Sequence, residues 1–182
     1  MPITTEPIGS IPRPPRLIQA ARDLDAGRIT ASEYDLILDE SIRDTIERFE
    51  ATGSPVITDG EQGKSSFATY PLHGLRTLAP DGVTIPFADG HTRQLPRLTA
   101  GPFHYATRAD SYLDRARQYA RMPLKQAVIS ASALSLLYPQ AGIEGYSRER
   151  FLDELVSEAE TEILAAEPWM AADVENTDAP SA

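Results

Sequence analysis

Apolar residues recur at three- and four-residue steps along four stretches of the chain, and each stretch predicts a helix with one buried face. Tyr34, Leu38, Ile42, Ile46 and Phe49 give the clearest of them. Thr30-Ala31-Ser32-Glu33, just ahead, matches a capping box, in which a hydroxyl and a carboxylate satisfy amides that the helix start leaves unpaired. Arg43 with Glu47, and Asp44 with Arg48, stand four residues apart and add exposed ion pairs. Upstream, Pro12, Pro14 and Pro15 forbid a helix before the first-turn position, where proline is tolerated. Leu17, Ile18, Ala21 and Leu24 form the stripe of that helix, and Gly27 stands where a left-handed C-cap belongs. Asp110 to Arg121 predicts a further helix with Leu113, Ala116 and Ala120 inward. The last begins at Ser147, a good N-cap, and carries Phe151, Leu152, Leu155, Val156, Ala159, Ile163 and Leu164 on one face.

Short apolar runs between these helices predict strands. Ile3 to Ile8 is extended and closes on Gly9-Ser10; Pro55-Val56-Ile57-Thr58 reads as a buried strand that runs into Asp59-Gly60-Glu61; Lys125 to Ser130 reads as a third. From about 64 to 104 the chain is rich in Pro and Gly. There Val83, Ile85 and Phe87 alternate, Asp89-Gly90 makes a tight turn, and Leu95 and Leu98 lie on the return, so an inserted β-hairpin is expected. Strands alternating with helices over long connections predict β-α-β units and a parallel sheet. Gly9-Ser10, Asp59-Gly60-Glu61 and Ser130 would then leave the same carboxyl edge, where α/β proteins place their sites, with the hairpin as a lid.

Charge and composition narrow the partners. With 27 acidic and 17 basic residues, the formal net charge of −10 argues against a grip on nucleic acid or on an anionic membrane surface. No stretch reaches the ~20 apolar residues of a membrane span. No signal peptide is recognisable at the N-terminus, so a cytoplasmic location is expected. The chain has no cysteine, which excludes disulfides, thiolate-bound zinc and a Cys nucleophile. Residues 167–182 contain four acids and no base, and are expected to form a disordered tail after a domain at 1–166.

Gly9-Ser10 offers backbone N–H groups and a hydroxyl suited to a carboxylate or phosphate, though Gly-Ser pairs are also common turn material. Glu61 can hold an ammonium group or, if buried, act as an acid or base; acidic turn residues are as often solvated or capping. Arg13, Arg16 and Lys64 lie near the two turns and can neutralise a ligand carboxylate, though such residues are more often solvated surface charges. His73, His91 and His104 lack any metal-ligand spacing. Phe67, Tyr70, Phe103 and Tyr105 can stack on a flat ring, but packing under a long loop is the simpler reading.

Ile8-Gly9-Ser10-Ile11-Pro12-Arg13-Pro14, followed by Val56-Ile57-Thr58-Asp59-Gly60-Glu61-Gln62, resembles the cobalamin-independent methionine synthase family. Further similarity lies in Ile85-Pro86-Phe87-Ala88-Asp89-Gly90, Leu98-Thr99-Ala100-Gly101-Pro102-Phe103 and Lys125-Gln126-Ala127-Val128-Ile129-Ser130, so it extends from residue 1 to about 164. The resemblance implies methyl transfer from methyltetrahydrofolate to the thiol of homocysteine, which zinc binds as thiolate, on a TIM barrel shared with uroporphyrinogen decarboxylase and the coenzyme M transferases. It also implies that Ile8, Gly9 and Ser10 hold the amino acid's carboxylate and Glu61 its amino group, with Asp59 beside it. The family's zinc ligands, a His-x-Cys pair, a glutamate and a further cysteine, come from later strands, and its catalytic histidine is missing as well. A complete (β/α)8 barrel needs about 250 residues.

The expectation is therefore an α/β partial barrel of the first three to four β-α units, with part of the homocysteine pocket, no zinc of its own and no catalytic residue. Open sheet edges would invite self-association. Two other readings stay open: a non-catalytic binding or assembly module, and a coenzyme M transferase-like or decarboxylase-like relative.

Overall fold

The computed structural model describes residues 5–171, with side chains through 166. It is a mixed α/β structure of five helices and two small antiparallel sheets. The chain falls into two compact units. Of the described residues, one gathers 5–64, Ala109–Ala127 and 166–171; the other gathers Ser65–Arg108 and Val128–Ala165.

In the first unit, helix α1 (Pro15–Asp25) starts on the last proline of the run, as the missing N–H of an N1 proline allows. Its buried residues are Leu17 and Ala20, Ala21 and Leu24 are half-buried, and Ile18 alone of the expected stripe is exposed. Gly27 has φ 67° and ends the turn. Helix α2 (Ala31–Ala51) opens with the expected capping box: Thr30 Oγ1 accepts from Glu33 N at 3.2 Å while Glu33 Oε2 accepts from Thr30 N at 2.8 Å. Leu38, Ile42 and Ile46 bury in a core with Leu17, Ile57, Leu113, Ala116 and Leu124, and Tyr34 and Phe49 pack at its border. Leu113 and Ala116 come from helix α3 (Asp110–Arg117), which stops four residues before its expected end. Arg115 ties α3 to α2 through Asp39 at 2.7 Å and Asp35 at 3.0 Å.

Among the described residues none of the three expected parallel strands is regular; Ile3 and Thr4 of the first lie outside them. Ile57 and Leu124 form one isolated parallel bridge, closed by Ile57 N to Pro123 O and Lys125 N to Ile57 O, each 2.9 Å. The segment after Thr5 runs beside 54–60 through side chains: Ser54 Oγ donates to Thr5 O at 3.3 Å and Thr58 Oγ1 to Gly9 O at 3.1 Å. The three segments are thus neighbours in parallel sense at their bonded points, but proline at 55 and 123 removes ladder donors and shortens the pairing.

In the second unit the inserted hairpin is present. Strand β2 (Thr84–Pro86) pairs antiparallel with β3 (Thr92–Gln94), and β1 (Leu78–Ala79) pairs with β4 (Arg97–Leu98). Gly90 takes φ 87° in the turn between β2 and β3, and Leu95 and Leu98 are buried. Ser130 does not end a strand; it caps the four-residue helix α4 (Ala131–Leu134) by accepting from Ala133 N. Helix α5 (Arg148–Ala171) starts at Ser147, whose Oγ accepts from Arg150 N at 3.2 Å. Its buried face is Phe151, Leu155 and Glu162, while Val156, Ile163 and Leu164 are exposed. Both stripes have helical period, and only packing selects between them. The helix continues to Ala171, into the residues expected as tail; 172–182 lie outside the described residues.

Candidate functional site

The corner at Asp59-Gly60-Glu61 is built from local bonds. Asp59 Oδ1 accepts from Glu61 N at 2.9 Å, an Asx turn, and Thr58 Oγ1 accepts from Gly60 N at 3.0 Å. Gly60 takes φ 69° and Glu61 φ 56°. A left-handed conformation is uncommon for a residue with a side chain, costs about 1–3 kcal/mol and concentrates at functional sites. Only glycine fits at 60, because a Cβ there would meet Ile11 Cγ1 at 2.7 Å and Thr45 Cγ2 at 2.9 Å.

The left-handed turn aims the Glu61 carboxylate inward, to the other corner. A Cβ on Gly9 would lie 3.5 Å from Glu61 Oε1 and 3.4 Å from the Cβ of Ala127. Ile11 N donates to Gly60 O at 3.1 Å, which locks the two corners together. Gly9 and Glu61, over fifty residues apart in the chain, therefore adjoin. The five candidates differ. Gly9, Asp59 and Glu61 are buried, Ser10 is exposed, and Ile8 is 92% exposed.

Lys64 Nζ lies 3.5 Å from Glu61 Oε1 and donates to Ala127 O, and its side chain is fully buried. Oε1 is thus the oxygen of Glu61 that faces the cation. Burial pushes the Asp59 carboxyl up from its ordinary value, against the lowering pull of the Glu61 amide, the Gln126 side chain and Lys64. Asp59 Oδ2 and both amide atoms of Gln62 are buried with no hydrogen-bond partner. Such orphaned polar atoms are rare in a packed interior and tend to mark a site that meets water or a ligand.

Arg13 has a different place from the one its sequence position suggested. Its guanidinium donates to the carbonyls of Glu61 and Gln62 at 3.1 Å each, and to that of Lys64. All three acceptors belong to the left-handed turn, so Arg13 is a clamp on the backbone rather than a cation facing a ligand. Arg16 pairs with Glu40 on the surface. Thr58, Gln126 and Ala127 also build the corner; in the sequence they stand out only as members of the segments 56–62 and 125–130 that carry the resemblance, not as candidate site residues.

In the second unit, His73, His91 and His104 are exposed, with His91 Nδ1 against Asp89. Among the described residues there is no group of three His, Asp or Glu side chains set to hold a metal. Phe103 packs edge-on against Phe151 and Tyr105, at 5.2 and 6.0 Å between centroids, in keeping with the packing reading. Tyr70 donates to the buried Glu162 at 2.7 Å, and burial with that carboxylate pushes its phenol well above the ordinary range.

Solved structures share this fold, two of them methionine synthases. One is a B12-independent methionine synthase from Shewanella sp. W3-18-1 in complex with selenomethionine, with TM-score 0.65 and 17% identity over 91% of this chain and 48% of that one. The other is a putative vitamin-B12 independent methionine synthase from Listeria monocytogenes, with TM-score 0.67 and 22% identity over 92% of this chain and 49% of that one. The likeness is one of fold, and the chain spans about half the length of these two. No family model and no curated protein matches the sequence. Among the described residues no helix is long and apolar enough to cross a membrane.

Proposed function

We propose that the chain carries the first β-α units of a methionine-synthase-like barrel and that its Gly9–Glu61 corner binds the backbone of an amino acid of the homocysteine or methionine type. The observation that carries this reading is the approach of Gly9 to the Glu61 carboxylate: a Cβ on this glycine would lie only 3.5 Å from an acid held in a left-handed turn. Glu61 Oε2 would accept the ligand's ammonium, and the amides and hydroxyl at Gly9-Ser10 would face its carboxylate. Ile8, exposed beside them, would cover the ligand's apolar arm. The Shewanella neighbour holding selenomethionine, a zwitterion of this size, supports the choice of ligand class.

Zinc does not fit the residues present. The family's ligand set needs two cysteines, and none occurs in these 182 residues. No step is therefore derived through a metal, and methyl transfer from methyltetrahydrofolate would require groups beyond this chain. Calorimetry tests the binding reading directly: methionine and homocysteine should give a saturable isotherm in the presence of a chelator, and Glu61→Gln should abolish it. A flat titration of the unaltered chain, or an isotherm indifferent to Glu61→Gln, would refute it. A homogeneous preparation that methylates homocysteine would refute the expected need for further groups.

A further inference from the structure

Lys64 is a buried cation that the amino-acid reading does not use. Its backbone is fixed at both ends of the residue: its N–H donates to Glu61 O at 3.2 Å and its carbonyl accepts from Arg13. Its ammonium is held against the Ala127 carbonyl and Glu61 Oε1, and lies 5.6 Å from the centre of the Tyr112 ring. The other charged groups of the corner are the Asp59 carboxyl and the Arg13 guanidinium, the latter turned to carbonyls. The acid that would receive a ligand's ammonium thus already has a cation on one oxygen.

We propose that Lys64 determines the specificity of the corner, making it accept zwitterionic amino acids and reject simple amines. The inference rests on the amino-acid reading above. A carboxylate neutralised on one oxygen attracts a second ammonium weakly, and that ammonium also feels the like charge of Lys64 a few ångströms away. A zwitterion brings its own carboxylate and keeps the corner balanced; a bare alkylammonium does not. The lysine therefore acts as a repulsive element against the wrong ligand class as well as a partner for Glu61.

The test compares methionine with methylthiopropylamine, the same side chain on an amine without the carboxylate, by calorimetry. Unaltered protein should bind methionine at least about 100-fold more tightly than the amine; Lys64→Met should narrow that gap to under about tenfold, mainly by gaining the amine, and Lys64→Arg should keep it. An unchanged gap in Lys64→Met, with methionine still bound, overturns the proposal and leaves the amino-acid pocket standing. No methionine binding to the unaltered chain removes both.

Because Lys64→Met strips a buried carboxylate of its cation, its fold is checked by thermal melting. Should it not fold, the unaltered protein decides the matter with 15N-labelled lysine. The Lys64 ammonium resonance should shift on saturation with methionine, and an unmoved resonance at saturation overturns the proposal.

Discussion

Gly9 faces the carboxylate of Glu61, with room for a methyl group at 3.5 Å from Oε1 and 3.4 Å from Ala127 but for little else. Both distances are ordinary contacts, so Gly9→Ala should fold. The added methyl desolvates one side of the acid and occupies space next to it. Methionine affinity should fall by about tenfold or more, one RT ln 10 step, while the melting temperature changes little. Parallel calorimetry and thermal melts check this, and equal affinity in the variant would remove Gly9 from the site.

Gly60 and Gly27 separate two costs that are often lumped together. Both have positive φ, 69° and 67°, but a Cβ at 60 collides with Ile11 and Thr45 whereas nothing lies within 4 Å of one at 27. Gly27→Ala should cost about 1–2 kcal/mol, the left-handed penalty alone. Gly60→Ala adds overpacking and should cost about 2–5 kcal/mol in all. Urea unfolding of the two variants gives the comparison, and equal losses would show that the contacts at 60 relax freely.

Arg13→Lys keeps the charge and loses the fork. One ammonium cannot reach the three carbonyls of Glu61, Gln62 and Lys64 that the guanidinium serves. A destabilisation of about 1–3 kcal/mol is expected, with faster amide exchange across 60–64. A variant with unaltered exchange there would mean that the turn holds itself.

Asp59 ties stability to pH in the direction opposite to a salt-bridged acid. Its carboxyl is raised in the folded state, chiefly by burial, so the folded chain binds a proton more tightly than the unfolded one. Its contribution is fully favourable below the unfolded value of about 3.9 and is lost as pH rises through the higher folded value. Asp59→Asn keeps an acceptor for the Glu61 amide and removes the ionisation. The melting temperature of Asp59→Asn relative to the unaltered chain should therefore be higher at pH 7 than at pH 4, and a difference independent of pH would refute the assignment.

The helices were legible because the bonds that start and stop them are local. Thr30 with Glu33, Ser147 with Arg150 N and the left-handed Gly27 are each decided within a few residues, and the structure has all three. The glycine turns at 60 and 90 were legible for the same reason. The strands were less so. Apolar runs at 55–58 and 125–130 marked burial correctly at Ile57 and Ile129, yet whether a buried run becomes a ladder depends on a partner with free donors, and the prolines left a single parallel bridge.

Sequence by itself determined which residue types stand at the two corners: a glycine that can be approached, a glycine that can turn, and an acid beside it. It could not determine what each cation would face. Arg13 and Lys64 both read as surface charges or partners for a ligand, and the fold turned one to three backbone carbonyls and the other to the carbonyl of Ala127, likewise remote in sequence. The reason is physical: a cap is closed by neighbours along the chain, but the partner of a long side chain is chosen by what packing brings within reach across some fifty residues, and that choice is made only when the core around Ile42, Ile46 and Ile57 has closed.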